Sequence, residues 1–249
     1  MINLYQGDCL DEMDKIPAHS VDMIFTDLPY GTTKNAWDVP LPLDTLWKQY
    51  RRVLKPGGAV LLFAQMPFGA DLINSNRRWY RYEWIWHKTM PVGFLNANRM
   101  PLRTHEDILV FYEHLPTYHP QMTPGKPYTA MRPARATRNY GHFDRALTIN
   151  EGERYPRDVL TFSNGNNASK IHPTEKPVDL LEYMVRTYTD EDDTVLDSCM
   201  GSGSCGVACQ HLGRSFIGIE KDPGYFEAAR RRIEDAFFYL AKMNRNARK

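Results

Sequence analysis

The chain predicts an α/β protein built on a mostly parallel sheet with helices on both faces. Short apolar runs alternate with segments of helical periodicity along most of the 249 residues. Those runs end in turn signals or carboxylates, as buried parallel strands do. A third observation is the strand, glycine turn and helix pattern from Thr194 to Leu212, typical of sheets that bind a ligand beyond the carboxyl ends of their strands.

In chain order, strands are expected at Ile2 to Tyr5, Val21 to Thr26, Ala59 to Ala64, Tyr82 to Trp86, Asp107 to Tyr112, Thr194 to Leu196 and Ser215 to Ile219, seven in all. Helices are expected at Leu43 to Leu54, Gly69 to Asn76, Pro177 to Tyr188, Gly203 to Leu212 and Pro223 to Tyr239. Lys55-Pro56-Gly57-Gly58 stops the first of these, because neither proline nor glycine sustains a helix. Trp84, Trp86, Phe111 and Tyr112 read as core. From Leu115 to Lys170 the alternation breaks into a stretch rich in Pro, Tyr, Asn and Gly with little periodicity, and the basic tail from Lys242 is expected to fray.

Two segments carry chemistry. Asp27-Leu28-Pro29-Tyr30 directly follows the apolar run Val21 to Thr26, so an acidic side chain, a proline and an aromatic ring meet at a strand end. Asp27 and the carbonyl of Leu28 can accept both hydrogens of an exocyclic amino group, Pro29 having no N–H to compete. The ring of Tyr30 offers a stacking face worth roughly 1–3 kcal/mol per base. An ordinary turn would use the same residue types.

The second segment weighs against the ordinary turn. Asp197-Ser198-Cys199-Met200-Gly201-Ser202-Gly203 joins a strand to a helix, with Gly201 and Gly203 allowing the backbone to approach a ligand closely. Glu220 closes the next strand, where a carboxylate can accept from both hydroxyls of a ribose. Gly201 to Gly206 also fits the dinucleotide G-x-G-x-x-G spacing, but Asp197 would repel a pyrophosphate and suits a cationic or amine-bearing ligand.

Together these segments resemble the S-adenosylmethionine-dependent DNA amino-methyltransferases, adenine-N6 or cytosine-N4, of the group whose catalytic motif precedes the cofactor glycines. Asp27-Leu28-Pro29-Tyr30 looks like that family's D-P-P-Y, with Leu28 in place of the first proline. The glycine segment looks like its D-P-F-x-G-S-G, with Ser198-Cys199 in place of Pro-Phe. His172-Pro173-Thr174-Glu175-Lys176-Pro177 is similar to the segment lining the methionine end of the cofactor, and Gly7-Asp8-Cys9-Leu10 to the loop on its adenine.

The resemblance implies a Rossmann-like class I methyltransferase fold of permuted motif order, with a loop-rich DNA-recognition insertion. It divides the chain into a catalytic half at 1–114, the insertion at 115–170, a cofactor-binding half at 171–241 and a basic tail at 242–249. Asp27, Leu28, Pro29 and Tyr30 become the catalytic residues. S-adenosylmethionine, leaving as S-adenosylhomocysteine, is expected to meet Asp8, Cys9, Leu10, Asp27, His172, Thr174, Lys176, Asp197, Ser198, Cys199, Gly201, Ser202, Gly203, Glu220, Lys221 and Asp222. His105 to Tyr112 resembles a strand that returns antiparallel at the sheet edge. The implied reaction is methylation of adenine N6 in double-stranded DNA, because cytosine-N4 members more often carry Ser where Asp27 stands. Cytosine-N4 methylation and a catalytically silent DNA-binding module stay as alternatives.

Composition agrees with this reading. The net charge of +1 is uninformative, yet between Leu115 and Lys170 eight basic residues face four acidic ones, which suits phosphate contacts. Arg132, Arg135 and Arg138 there, with Arg99 and Arg103 in the earlier loop, are the candidate DNA contacts. Cys9, Cys199, Cys205 and Cys209 form no C-x-x-C pair, so free thiols are expected rather than a metal site. No signal-like start or long uncharged apolar segment appears, so a cytoplasmic, membrane-free protein is expected, as monomer or homodimer.

Overall fold

The computed structural model describes residues 1–31, 35, 38–139, 141–164 and 175–247, the backbone alone at 137 and 240–247. The first strands and helices follow in the order β1 (Ile2–Gln6), α1 (Cys9–Glu12), β2 (Val21–Thr26), α2 (Leu43–Val53), β3 (Leu54–Ala64), α3 (Phe68–Ser75), β4 (Tyr80–Val92) and β5 (Arg103–Phe111). Six short strands come next: β6 (Thr123–Pro124), β7 (Tyr128–Arg132), β8 (Arg135–Thr137), β9 (Gly141–Phe143), β10 (Ala146–Asn150) and β11 (Glu153–Arg154). The chain ends with β12 (Val159–Phe162), α4 (Val178–Tyr188), β13 (Thr194–Asp197), α5 (Ser204–His211), β14 (Ser215–Glu220) and α6 (Pro223–Ala247).

Two compact units result, Met1–His119 with Asp158–Lys249, and Pro120–Arg157. The larger holds a sheet of strand order β1-β14-β13-β2-β3-β5-β4-β12. Only β5 runs against its neighbours, β3 and β4. The apolar residues of β2 and β3 alternate between two cores. Met23, Phe25, Leu61 and Phe63 pack on one face with α4 and α5, while Ile24, Val60 and Leu62 pack on the other with α2 and α3. Helices therefore cover both faces, as the pattern of apolar runs predicts.

Four differences from the sequence reading have physical causes. The sheet has eight strands rather than seven, because Val159–Phe162, inside the stretch from Leu115 to Lys170 read as irregular, pairs parallel to β4. The antiparallel strand lies inside the sheet, since β4 and β12 add beyond it. Lys55 to Gly58 ends α2 as expected but sits within β3 as a bulge, the register with β2 jumping from Val21↔Leu54 to Met23↔Ala59. The tail expected to fray continues α6 as far as Ala247.

The smaller unit is not structureless. Its strands form three two-stranded ladders, β7 with β10, β6 with β11 and β8 with β9. Their side chains are mostly exposed, which is why no strand periodicity shows in the sequence.

Candidate active site

The carboxyl ends of β2, β13 and β14 open onto a cavity of about 600 Å³, a size suited to a small ligand. Each strand end brings a carboxylate to its wall: Asp27 after β2, Asp197 closing β13 and Glu220 closing β14. Asp8 adds a fourth from the turn after β1. Cys9, Leu10, Leu28, Pro29, Lys176, Ser198, Cys199, Gly201, Ser202, Lys221 and Asp222, all named from the sequence, line it too. His172 and Thr174 lie outside the described residues.

The carboxylates are held in place by defined partners. Asp8 caps α1, accepting from the Leu10 N–H at 3.1 Å, and its other oxygen accepts from Lys221 at 3.0 Å. Glu220 accepts from the N–H groups of Gly201 at 2.9 Å and Asp222 at 2.8 Å, which fixes its plane at the glycine turn. Asp222 caps α6 by accepting from the N–H groups of Gly224 and Tyr225, a structural task beside its place on the wall. Burial pushes Asp197 up to about 7, with the Asp27 and Glu220 charges adding to the shift; the Thr26 hydroxyl and the Cys199 N–H oppose it. Burial also raises Glu220 above the ordinary range.

The glycine turn is built as its spacing suggests. Gly203 has φ +75° and stands in front of α5, where a Cβ would meet that of Ala229 at 3.0 Å. Arg232 of α6 grips the same turn, donating to the Ser202 carbonyl and to the Ser202 and Ser204 hydroxyls, and pairs with Glu175 at 2.8 Å. Ser198, standing where proline was expected, shares a 2.7 Å hydrogen bond with the buried Tyr50.

Around the tetrapeptide the structure supplies more than the sequence reading. Tyr30 donates to Asp27 Oδ1 at 2.9 Å, and its ring is stacked on Phe68 with centroids 4.9 Å apart, so one face of the ring is occupied. Lys176 donates to Asp27 Oδ2 at 2.6 Å and stands 3.2 Å from Glu106 Oε2. Glu106 Oε1 in turn accepts from Lys88 and, at 3.0 Å, from Gln65, whose Oε1 accepts from Arg103. Burial disfavours charge on Lys176, yet Asp27 and Glu106 outweigh it and raise its pKa; burial likewise opposes charge on Glu106, and Lys176 and Lys88 hold its pKa below the ordinary range. Lys88 and Glu106 were missed from the sequence. Lys88 falls beyond the strand expected at Tyr82 to Trp86 and Glu106 before the one expected at Asp107 to Tyr112, and their partners are remote in the chain.

The basic residues are distributed over both units. Arg99 and Arg103 are exposed, in and after the connection from β4 to β5. Arg132 ends β7 with its guanidinium 5.3 Å from the Phe143 ring, Arg135 opens β8 and Arg138 follows it, all exposed. Along the chain these three arginines span two strands and a turn. Cys9, Cys205 and Cys209 are buried free thiols and Cys199 a half-buried one. Among the described residues, no cluster is arranged to hold a metal and no helix is long and apolar enough to cross a membrane.

Comparison with known proteins agrees with this geometry. A DNA methylase family model, N6_N4_Mtase, matches residues 21–231. The type II methyltransferase M.HpaI of Haemophilus parainfluenzae is 30% identical over 247 residues, a match covering 93% of this chain and 74% of that protein. The crystal structure of an M1.HpyAVI–SAM complex superposes with a TM-score of 0.65 at 25% identity, covering 94% of this chain and 99% of the other. The cytosine-N4-specific PvuII DNA methyltransferase shares the fold, with a TM-score of 0.66 at 17% identity over 95% of this chain and 91% of its own.

Proposed function

Because the chain belongs to the N6/N4 DNA methylase family, we propose that its cavity binds S-adenosylmethionine and that Asp27 presents the N6 amino group of a flipped adenine in double-stranded DNA. The protein is a DNA amino-methyltransferase. The choice of adenine rests on one observation, a carboxylate at the catalytic strand end oriented by Tyr30 and Lys176. An ionised acceptor makes stronger hydrogen bonds than a hydroxyl, which suits drawing an amino nitrogen out of conjugation with its ring.

The residues fit the cofactor. Asp8, Asp27, Asp197 and Glu220 on one wall suit a ligand that carries two cations and a ribose diol. When bound, S-adenosylmethionine supplies an electrophilic methyl group on its sulfonium. Glu220 would accept from the ribose hydroxyls and Asp197 from the ammonium, with Cys9 and Leu10 against the adenine and Lys176 at the methionine end. The backbone from Gly201 to Gly203 would approach the ligand closely, flanked by Ser198, Cys199 and Ser202, while Lys221 and Asp222 support the rim. Asp27 and the Leu28 carbonyl would hold the two amino hydrogens, with Pro29 shaping the turn, the Tyr30 ring against the base and the released proton passing to Asp27 or water. Flipping the base costs a few kcal/mol, and Arg99, Arg103, Arg132, Arg135 and Arg138 would contact the DNA.

Incubation with random-sequence DNA and the cofactor, followed by base-resolved mapping, tests this reading. N6-methyladenine in one sequence context is expected; N4-methylcytosine instead would overturn the adenine assignment. Asp27→Ala should lower the single-turnover rate at saturating cofactor by roughly 10²–10³-fold, the size seen when one oriented group is removed from an active site, a loss larger than any accompanying weakening of cofactor binding by calorimetry. Activity within tenfold of the parent would remove Asp27 from the mechanism.

A further inference from the structure

Behind the half-buried Asp27 of the tetrapeptide, three buried charged groups continue a chain of ion pairs. Asp27 Oδ2 lies 2.6 Å from Lys176 Nζ, which lies 3.2 Å from Glu106 Oε2, while Glu106 Oε1 pairs with Lys88. The Lys88, Glu106 and Lys176 side chains are 6%, 9% and 11% exposed. Two cations and two anions sum to zero, the condition under which such burial is tolerated, since an unpaired buried ion costs several kcal/mol. The apolar surroundings are aromatic: Lys176 stands 4.7 Å from the Phe63 ring centre and Lys88 4.9 Å from that of Trp86.

The four residues come from separate parts of the fold. Asp27 follows β2, Lys88 and Glu106 lie on β4 and β5, and Lys176 precedes α4. A cluster serving only to join β4 to β5 would need the Lys88–Glu106 pair alone. Lys176 extends the chain of charge to the one carboxylate that faces the target base in the proposed reaction. With Tyr30 on Oδ1 and Lys176 on Oδ2, the carboxylate has a single defined plane. Glu106 and Asp27 share the ammonium, and the shared position keeps Lys176 from swinging over both Asp27 oxygens.

We propose that Lys176, tethered by Glu106 and Lys88, is a positioning residue for methyl transfer that sets the plane of the Asp27 carboxylate. This rests on the reading of Asp27 as the acceptor of the target amino group. It gives Lys176 a task besides its expected place at the methionine end of the cofactor, and it brings Glu106 and Lys88 into the working site.

Lys176→Met separates the two tasks. The single-turnover rate at saturating cofactor and DNA should fall roughly 10–100-fold, the usual loss when a group supporting a reactive residue is removed. Because Lys176 also lines the cavity, the calorimetric cofactor dissociation constant should weaken as well, and the rate is therefore read at cofactor saturation, where that loss does not enter. The pH–rate profile of the variant should move to higher pH, because Asp27 and Glu106 are left without the cation between them and neighbouring like charges resist joint ionisation. Lys176→Arg should recover most of the rate.

A cofactor constant weakened more than tenfold, with an unchanged rate at saturation and an unmoved profile, would make Lys176 a cofactor ligand only and overturn the proposal. If Lys176→Met does not fold, Glu106→Gln retains the Lys176–Asp27 pair and removes the tether. It should lower the saturated rate with KM for DNA unchanged, and a parental rate would overturn the proposal. Absence of any methyl transfer by the parent protein would count against the methyltransferase reading itself and is distinguishable from each of these outcomes.

Discussion

At the scale of single residues, Asp197 carries a pH signature that can be measured directly. Its folded-state pKa is pushed up to about 7 by burial, whereas in an unfolded chain a carboxyl titrates near 3.9. The folded state therefore binds more protons between those values, and the stability contributed by the protonated group is present below the unfolded value and lost as pH rises through about 7. Glu106 has the opposite sign: its lowered pKa contributes stability above its unfolded value that is lost as pH falls through the folded one. A cation bound beside Asp197 favours its ionised form. S-adenosylmethionine binding should consequently release protons below pH about 7, seen as a binding enthalpy at pH 6 that changes with the ionisation enthalpy of the buffer. Asp197→Asn should abolish that buffer dependence, and a buffer-independent enthalpy in the parent would place the cofactor's charge away from Asp197. The motif residues were legible because their types are unusual at strand ends. Lys88 and Glu106 were not, because they fall just outside the expected strands, where the sequence marks neither as buried nor as paired.

At the scale of elements, the glycine turn shows how much a spacing pattern can say. Gly201 and Gly203 were read as turn residues, and Gly203 does take positive φ. The third glycine of the run, Gly206, has a different reason: a Cβ there would meet Ile233 Cδ1 at 2.4 Å and Phe216 Cε1 at 2.8 Å, so α5 lies against α6 and β14 with no room for a methyl group. Ile233 is 1% exposed and Phe216 fully buried, so neither can retreat into solvent. Gly206→Ala gains about 1 kcal/mol of helix propensity, but overpacking typically costs roughly 1–3 kcal/mol. Net destabilisation is the expected outcome, read as a lower urea midpoint at unchanged slope; a raised midpoint would show that Ile233 repacks. Element boundaries were legible where apolar residues ran unbroken, as in Val21–Thr26. They were not at β4, whose exposed residues Arg81, His87 and Thr89 break the apolar pattern, nor at β12, a four-residue strand inside the stretch read as irregular.

At the scale of the whole molecule, the motifs at Asp27, Asp197 and Glu220 foretold where the cavity opens, because each stands at the carboxyl end of a strand. An insertion at 115–170 was expected, but the strands of the unit at Pro120–Arg157 were not, since its exposed ladders bury too little apolar surface to leave a periodic trace. Target choice in the proposed reaction is expected to depend on it. Arg132 is oriented by its contact with Phe143, and an oriented guanidinium is the side chain best suited to bidentate contact with guanine. Arg132→Ala should therefore cost roughly 1–3 kcal/mol of DNA binding and relax preference at one position of the site. Arg135 and Arg138 begin and follow β8, away from that ring-held geometry, and are expected to meet phosphate. Their replacement should weaken binding evenly across sequences and make the salt dependence shallower by about one unit of slope each. Mapping methylated sites and measuring affinity at two salt concentrations for the three variants distinguishes these outcomes. Unchanged site choice, affinity and slope in all three would remove this unit from recognition and shift it to Arg99 and Arg103. There, the contact from Arg103 through Gln65 to Glu106 would join the DNA-facing loop directly to the buried charges behind Asp27.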